Sequence, residues 1–145
     1  MSGLAERIEA IRRAGDPQAL VDMVPYARLL GVVFREVDGL PTFSLAFRDG
    51  NIGNPYLPAL HGGAIGGFME NAAVLHLIWT GESRHVPRVV DFSIDYLRPG
   101  RPETVIARCD VWRQGSRVAN VGIRAWQEDE TRVIATARAH FLVGE

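Results

Sequence analysis

The order of apolar and polar residues divides the chain into a helical beginning, one long apolar segment and several alternating segments. Apolar residues recur at helical spacing from Leu4 to Ala14, which predicts a first amphipathic helix. Asp16-Pro17 predicts the start of a second helix with Asp16 as its N-cap. This second stretch reaches about Gly31, and Pro25 predicts a kink or a break within it.

From Val32 onward the pattern changes to a period of two, which is typical of strands with one buried face. Asp38-Gly39 is a hairpin signal at the start of this region. Short turns separate the later segments, so we expect neighbouring strands to be antiparallel. The alternating segments are 43–47, 90–96, 105–112, 119–125 and 133–141.

Residues 61–79 form a long segment without a breaking proline, and from Ala64 to Trp79 only Glu70, Asn71 and His76 are polar. A helix that is apolar on every side must be buried on every side. Each glycine inside a helix costs ~1 kcal/mol relative to alanine. We therefore expect packing partners or a ligand to approach the backbone closely at the glycines of the first turns, which are Gly62, Gly63, Gly66 and Gly67.

The inward positions of the last three alternating segments are rich in alanine, which allows a sheet to approach the element that it covers. The segment at 61–79 is the only one long and apolar enough to be covered. We predict an α+β fold in which an antiparallel sheet of five or six strands wraps around one long central helix. Residues 1–30 are expected to form a helical segment packed on this domain, which comprises residues 31–145.

Composition excludes several classes of function. The 145 residues carry a net charge of -1 without a basic run, so no nucleic-acid partner is expected. No apolar run is long enough to span a bilayer and the N-terminus lacks a signal peptide's core, so we expect a soluble cytoplasmic protein without a membrane partner. Cys109 is the only cysteine and is interpreted as a core residue. His76, His85 and His140 lack metal-ligand spacing, so no metal site is predicted.

Two features of the long segment are able to support chemistry. A carboxylate within an apolar helix is costly without a partner, so Glu70 is either a satisfied or solvent-facing carboxylate or a general base or nucleophile. At the helix start, Gly62 and Gly63 leave the first N–H groups unshielded. These N–H groups either form an oxyanion hole, or the glycines serve packing alone.

The spacing of these two features predicts a shared site. Gly62 and Glu70 are eight residues apart, which is ~12 Å along a helix, whereas a reacting atom should lie about 3 Å from both groups. One copy of the helix therefore cannot supply both. If both act, they come from two antiparallel chains in a two-fold dimer.

Two polar residues precede the helix. Asn54 either orients an attacking water or the Glu70 carboxylate, or is an ordinary turn residue before Pro55. His61 lies at the helix entry, where it suits capping better than a role as a base.

With Asn54, His61-Gly62-Gly63 and Glu70, the chain resembles the hotdog-fold acyl-CoA thioesterases, specifically their phenylacetate-pathway (PaaI-like) branch. The order of elements from about Leu30 to Val143 is similar, and Tyr96-Leu97-Arg98-Pro99 resembles the family's strand-end signature. The resemblance implies hydrolysis of an acyl-CoA thioester to free acid and CoA by a homodimer or a dimer of dimers. No cofactor is implied, because coenzyme A is part of the substrate.

The resemblance also implies roles for these residues. The Gly62 N–H polarises the thioester carbonyl, Glu70 of the partner subunit is base or nucleophile, and Asn54 orients the nucleophile. Asn54 precedes His61 by seven residues, whereas the usual family spacing is six. Basic residues are expected to meet the CoA phosphates, and the candidates, which are otherwise solvated surface arginines, are Arg84, Arg88, Arg98 and Arg101.

Two other functions are compatible with the same fold. One is an acyl-thioester dehydratase or hydratase, although the H-F-P-G-type segment of that branch is absent. The other is a non-catalytic acyl-CoA-binding module such as a ligand sensor. Against this function, residues 1–30 are too few and too weakly basic to form a DNA-binding attachment.

Overall fold

The computed structural model describes residues 3–81 and 85–144 of the chain. The helices are α1 (Gly3–Ala14), α2 (Gln18–Asp22), α3 (Pro25–Leu30) and α4 (Gly62–Thr80), with a 3-10 turn at Asp49–Asn51. The strands are β1 (Val32–Val37), β2 (Leu40–Leu45), β3 (Ile52–Asn54), β4 (Ala59–Leu60), β5 (Arg88–Tyr96), β6 (Val105–Gln114), β7 (Val118–Trp126) and β8 (Ala135–Leu142). Among the described residues, no helix combines the length and hydropathy that crossing a bilayer requires.

Six strands form one antiparallel sheet in the order β1-β2-β6-β7-β8-β5, and β3 and β4 form a separate pair. Helix α4 packs against the main sheet, so the predicted α+β architecture with a long central helix is confirmed. The small inward residues of the sheet are fully or almost fully buried, which lets α4 lie close to the strands. They are Ala107, Ala119, Ala125, Ala135, Ala137 and Ala139.

The helical beginning of the chain differs from the prediction in one detail. Pro17 occupies the N-cap position of α2, so the assignment of Asp16 as the N-cap is wrong by one residue. The Asp16 carbonyl oxygen instead accepts from the Ala19 N–H, because the turn into α2 begins at Asp16. The break predicted at Pro25 is confirmed by the start of α3, and Gly31 ends α3 in a left-handed conformation with φ of 75°.

Two strand boundaries also differ from the alternating pattern. Strand β2 ends at Leu45, before the predicted Phe47, and β8 begins at Ala135 rather than Val133. The Val133 carbonyl instead accepts a hydrogen bond from the Arg98 side chain at 2.6 Å, outside the sheet ladder. The hairpin between β1 and β2 is confirmed, with φ of 54° at Asp38 and 75° at Gly39. The β3–β4 pair was not predicted, because strands of two or three residues show no period.

The two edges of the main sheet differ. The Gln18 side chain closes the β1 edge, since its amide donates to the Val32 carbonyl at 3.2 Å and accepts from the Phe34 N–H at 2.9 Å. Strand β5 pairs only with β8 among the described residues, and its Val90 is 59% exposed. Because an uncovered edge strand offers unpaired backbone groups to another chain, β5 is the edge open to association.

Candidate active site

Among the described contacts, the first turn of α4 leaves one backbone N–H group available as a donor. The N–H of Gly63 donates to the His61 Nδ1 at 2.8 Å, so the predicted capping role of His61 is confirmed. The N–H groups of Ala64 and Ile65 both donate to the His61 carbonyl. Among the described residues, the Gly62 N–H has no hydrogen-bond acceptor. Of the two glycines proposed for an oxyanion hole, Gly62 therefore has the available N–H and Gly63 does not.

Tyr96, at the end of β5, forms one wall of this turn. Its hydroxyl donates to the Gly62 carbonyl at 2.7 Å. A Cβ atom at Gly62 would lie 3.1 Å from the Tyr96 ring, and one at Gly66 would lie 3.4 Å from its hydroxyl. The predicted close approach to the glycine backbone is thus made here by a tyrosine. At Gly67 it is made by Tyr26, whose hydroxyl lies 3.0 Å from the position of a Cβ atom.

Helix α4 is not buried on every side in a single chain. Between Ile65 and Ile78 the incompletely buried residues are Gly66, Gly67, Glu70 and Val74, which follow one side of the helix. Gly62 lies on the same side, one turn before Gly66. The Glu70 carboxylate has no hydrogen-bonding or ionic partner among the described residues. The interpretation of Glu70 as a satisfied buried carboxylate therefore does not hold within one chain.

Asn54 ends β3 and is exposed, as expected for a residue in the segment before the helix. Its side-chain oxygen accepts from the Tyr56 N–H at 3.0 Å and from the Leu57 N–H at 3.3 Å. These bonds are those of an ordinary turn asparagine. They leave the side-chain NH₂ group as the part of Asn54 that is able to contact a water or a substrate.

Arg98 lies between two cavities at this end of the sheet. A cavity of about 370 Å³ is lined by Gly62, Tyr96 and Arg98, together with apolar neighbours. A second cavity, of about 600 Å³, is lined by Arg98, Arg101 and Arg132. The structure thus places Arg98 beside the Gly62 end of α4 and Arg101 in the second cavity, which Arg98 also lines. It adds Arg132, whose position next to them depends on the fold and has no local sequence signal.

The loop that carries these arginines is fixed by Gln127, a buried polar residue that the sequence did not identify. The Gln127 side chain accepts from the Arg101 N–H at 3.0 Å and donates to the Arg101 carbonyl at 2.8 Å. Arg88, in contrast, begins β5, about 26 Å from Tyr96 at about 3.3 Å per residue. Within one chain Arg88 is therefore remote from the site, and Arg84 lies outside the described residues.

Other polar groups of the core do not belong to this site. Burial lowers the pKa of His76, with Asp110 acting in the opposite direction. Burial, and to a smaller extent Asp110, raises the pKa of the Cys109 thiol far above its usual value. Cys109 therefore stays protonated, in agreement with its interpretation as a core residue. Within residues 3–81 and 85–144, no cluster of three or more potential metal ligands occurs.

Comparison with solved structures identifies the fold. A protein of Chromobacterium violaceum is 46% identical, with 97% of this chain and 98% of that chain covered and a TM-score of 0.79. A phenylacetic acid degradation-related protein of Ralstonia eutropha JMP134 is 25% identical, with 88% and 98% covered and a TM-score of 0.74. The predicted hotdog fold and the resemblance to the phenylacetate-pathway branch are confirmed.

The sequence comparisons identify the family. Over 99% of its length, the chain is 29% identical to the medium/long-chain acyl-CoA thioesterase YigI of Escherichia coli K12, of which 100% is covered. A family model described as Thioesterase superfamily matches residues 57–134, more than half of the chain and the part that contains α4. The chain belongs to the thioesterase superfamily.

Proposed function

We propose that this protein hydrolyses acyl-CoA thioesters at a site shared between two subunits. The observation that carries the proposal is the placement, on one continuous helix, of a Gly62 N–H and a Glu70 carboxylate that have no partners in the described part of the chain. They are ~12 Å apart along the axis, too far to act on one carbonyl from the same chain. In the shared site, Gly62 of one subunit faces Glu70 of the partner subunit.

Two features of the surface support association of this kind. The incompletely buried side of α4 carries both Gly62 and Glu70, so an antiparallel second copy on this side forms two equivalent sites. The open β5 edge, with Val90 exposed, offers the backbone groups for such a contact. We propose a homodimer as the catalytic unit, which pairs further into a dimer of dimers.

The chemistry of the step follows from these groups. The Gly62 N–H donates to the thioester oxygen and stabilises the negative charge that develops on it during attack. Glu70 of the partner subunit either removes a proton from the attacking water or attacks the carbonyl carbon itself. In both routes the C–S bond breaks, CoA leaves as the thiol after protonation, and one water is consumed to give the free acid. Asn54 orients the nucleophile through its side-chain NH₂ group.

Coenzyme A is placed by its phosphates. Arg98 lines the cavity that contains Gly62, and Arg101 lines the second cavity, which Arg98 also lines. Guanidinium groups bind phosphate through paired hydrogen bonds. Arg88 is too far away within one chain. An antiparallel β5–β5 contact brings the Arg88 end of one strand to the Tyr96 end of the other, so Arg88 serves the site of the partner. The protein needs no further cofactor in this mechanism.

The experiment is a thiol-release assay on a panel of acyl-CoA thioesters. The panel includes medium and long acyl chains, because the relative YigI is named for them, and aromatic acyl groups. Release of free CoA with turnover supports the proposal. Interconversion of enoyl and hydroxyacyl thioesters would identify a dehydratase or hydratase instead, and saturable binding without any product would identify a binding module.

A further inference from the structure

The peptide group between Gly62 and Gly63 is held from both sides. Its carbonyl oxygen accepts from the Tyr96 hydroxyl at 2.7 Å, and its N–H donates to the His61 Nδ1 at 2.8 Å. The two side chains come from the end of β5 and from the residue before α4. Because a peptide group is planar and rigid, two bonds at opposite sides fix its orientation.

This orientation matters for the neighbouring N–H. Gly62 connects the held peptide group to the preceding one, whose N–H has no acceptor within residues 3–81 and 85–144. A glycine has more backbone freedom than any other residue, and the first turn of a helix lacks the N–H bonds that hold the later turns. The peptide group of this donor is restrained at its carbonyl, because the His61 oxygen accepts from the Ala64 and Ile65 N–H groups. At two consecutive glycines, the bonds from Tyr96 and His61 add a second restraint on the next peptide group and so on the direction of the Gly62 N–H.

We infer that Tyr96 is a positioning residue for the thioester hydrolysis proposed above, on which this inference rests. Together with His61, its hydroxyl holds the peptide group so that the Gly62 N–H points at the substrate carbonyl. Tyr96 acts through Gly62 and does not touch the reacting atoms. Gly62 has no side chain, which leaves room for the Tyr96 ring while its hydroxyl reaches the Gly62 carbonyl. A Cβ atom at Gly62 would lie 3.1 Å from the ring.

The test is Tyr96→Phe, which removes the hydroxyl and keeps the ring. We expect kcat to fall about tenfold while KM changes less than about twofold, because the lost effect is on transition-state stabilisation. Tyr56→Phe is the matched control, since that side chain is 96% exposed and the same atom is removed. A merely structural role would lower Tm and leave kcat per folded subunit unchanged.

A second measurement tests whether Tyr96 and His61 act on the same peptide group. If they do, Tyr96→Phe combined with His61→Ala lowers kcat by less than the product of the two single effects. Wild-type kcat in Tyr96→Phe, or fully multiplicative effects, would overturn the inference while the proposed function stands. A wild-type protein without turnover on any acyl-CoA would overturn the proposed function and this inference with it.

Discussion

The Gly62 N–H and the Glu70 carboxylate lie on the same incompletely buried side of α4, about two turns apart, and both lack partners among the described residues. The helix is continuous from Gly62 to Thr80, so this separation does not change without breaking it. In the proposed dimer, a second, antiparallel copy supplies each group with a counterpart. The predictions on activity and association follow from this geometry.

Glu70→Gln keeps the shape of the side chain and removes its charge and basicity. We expect kcat to fall by about a thousandfold or more, because neither base catalysis nor nucleophilic attack is available to the amide. Circular dichroism and size-exclusion chromatography should be unchanged. Glu9→Gln, an exposed carboxylate on α1, is the control. Activity within about twofold of wild type would remove Glu70 from the mechanism.

Mixed dimers test the shared site directly. Chains with Glu70→Ala and chains with Gly62→Val should each be inactive, because the first lacks the carboxylate and the second shields the donor. After random exchange, half of the dimers are mixed and each has one intact site, so about a quarter of wild-type activity should return. The two chains carry different tags so that mixed dimers are isolated and counted. Mixed dimers without activity would rule out a site divided in this way.

Because β5 is the open edge of the sheet, a charge on this strand should disrupt association of the subunits. Val90→Lys places a charge on this edge, which is a common way in which proteins prevent strand pairing. We expect light scattering to show a monomer that remains folded and has lost its activity. Val118→Lys, on an exposed valine at the start of β7, is the control and should leave the dimer intact. A dimeric, active Val90→Lys protein would place the interface elsewhere.

The sequence predicted those parts of the candidate site whose signals are local. Glu70 stands out in an apolar segment, and His61 precedes a glycine-rich helix start, so both were identified from their neighbours in the chain. The helix itself was predicted to within one residue at each end. These features depend on periodicity and on polar residues in apolar surroundings, which a single sequence displays.

Contacts between distant segments were not predictable in the same way. The Tyr96 hydroxyl meets Gly62 across 34 positions of sequence, and the Gln127 side chain meets the Arg101 backbone across 26. Each depends on how strands and loops pack, and no local pattern distinguishes these residues from others of their type. The pairing of Gln18 with the β1 edge was missed for the same reason.

The glycines of α4 should respond differently to alanine. A Cβ at Gly66 would have its nearest contact at 3.4 Å, so Gly66→Ala should raise the free energy of unfolding by about 1 kcal/mol through helix propensity. At Gly63 a Cβ would lie 2.9 Å from the His61 Nδ1, which displaces the cap at a cost of about 1 kcal/mol. Thermal unfolding should show a higher Tm for Gly66→Ala and no increase for Gly63→Ala. Equal gains would mean that the His61 cap does not stabilise the helix.

His76 should make stability depend on pH. Burial lowers its pKa below the ordinary 6.5, so on acidification the unfolded chain takes up a proton that the folded chain does not. The contribution of His76 to the free energy of unfolding is fully present above about pH 6.5 and is lost as the pH falls toward the lowered pKa of the folded state. His76→Leu removes the proton uptake, so its free energy of unfolding should fall less than that of wild type between neutral and mildly acidic pH. Parallel pH profiles in chemical denaturation would show that His76 titrates equally in both states.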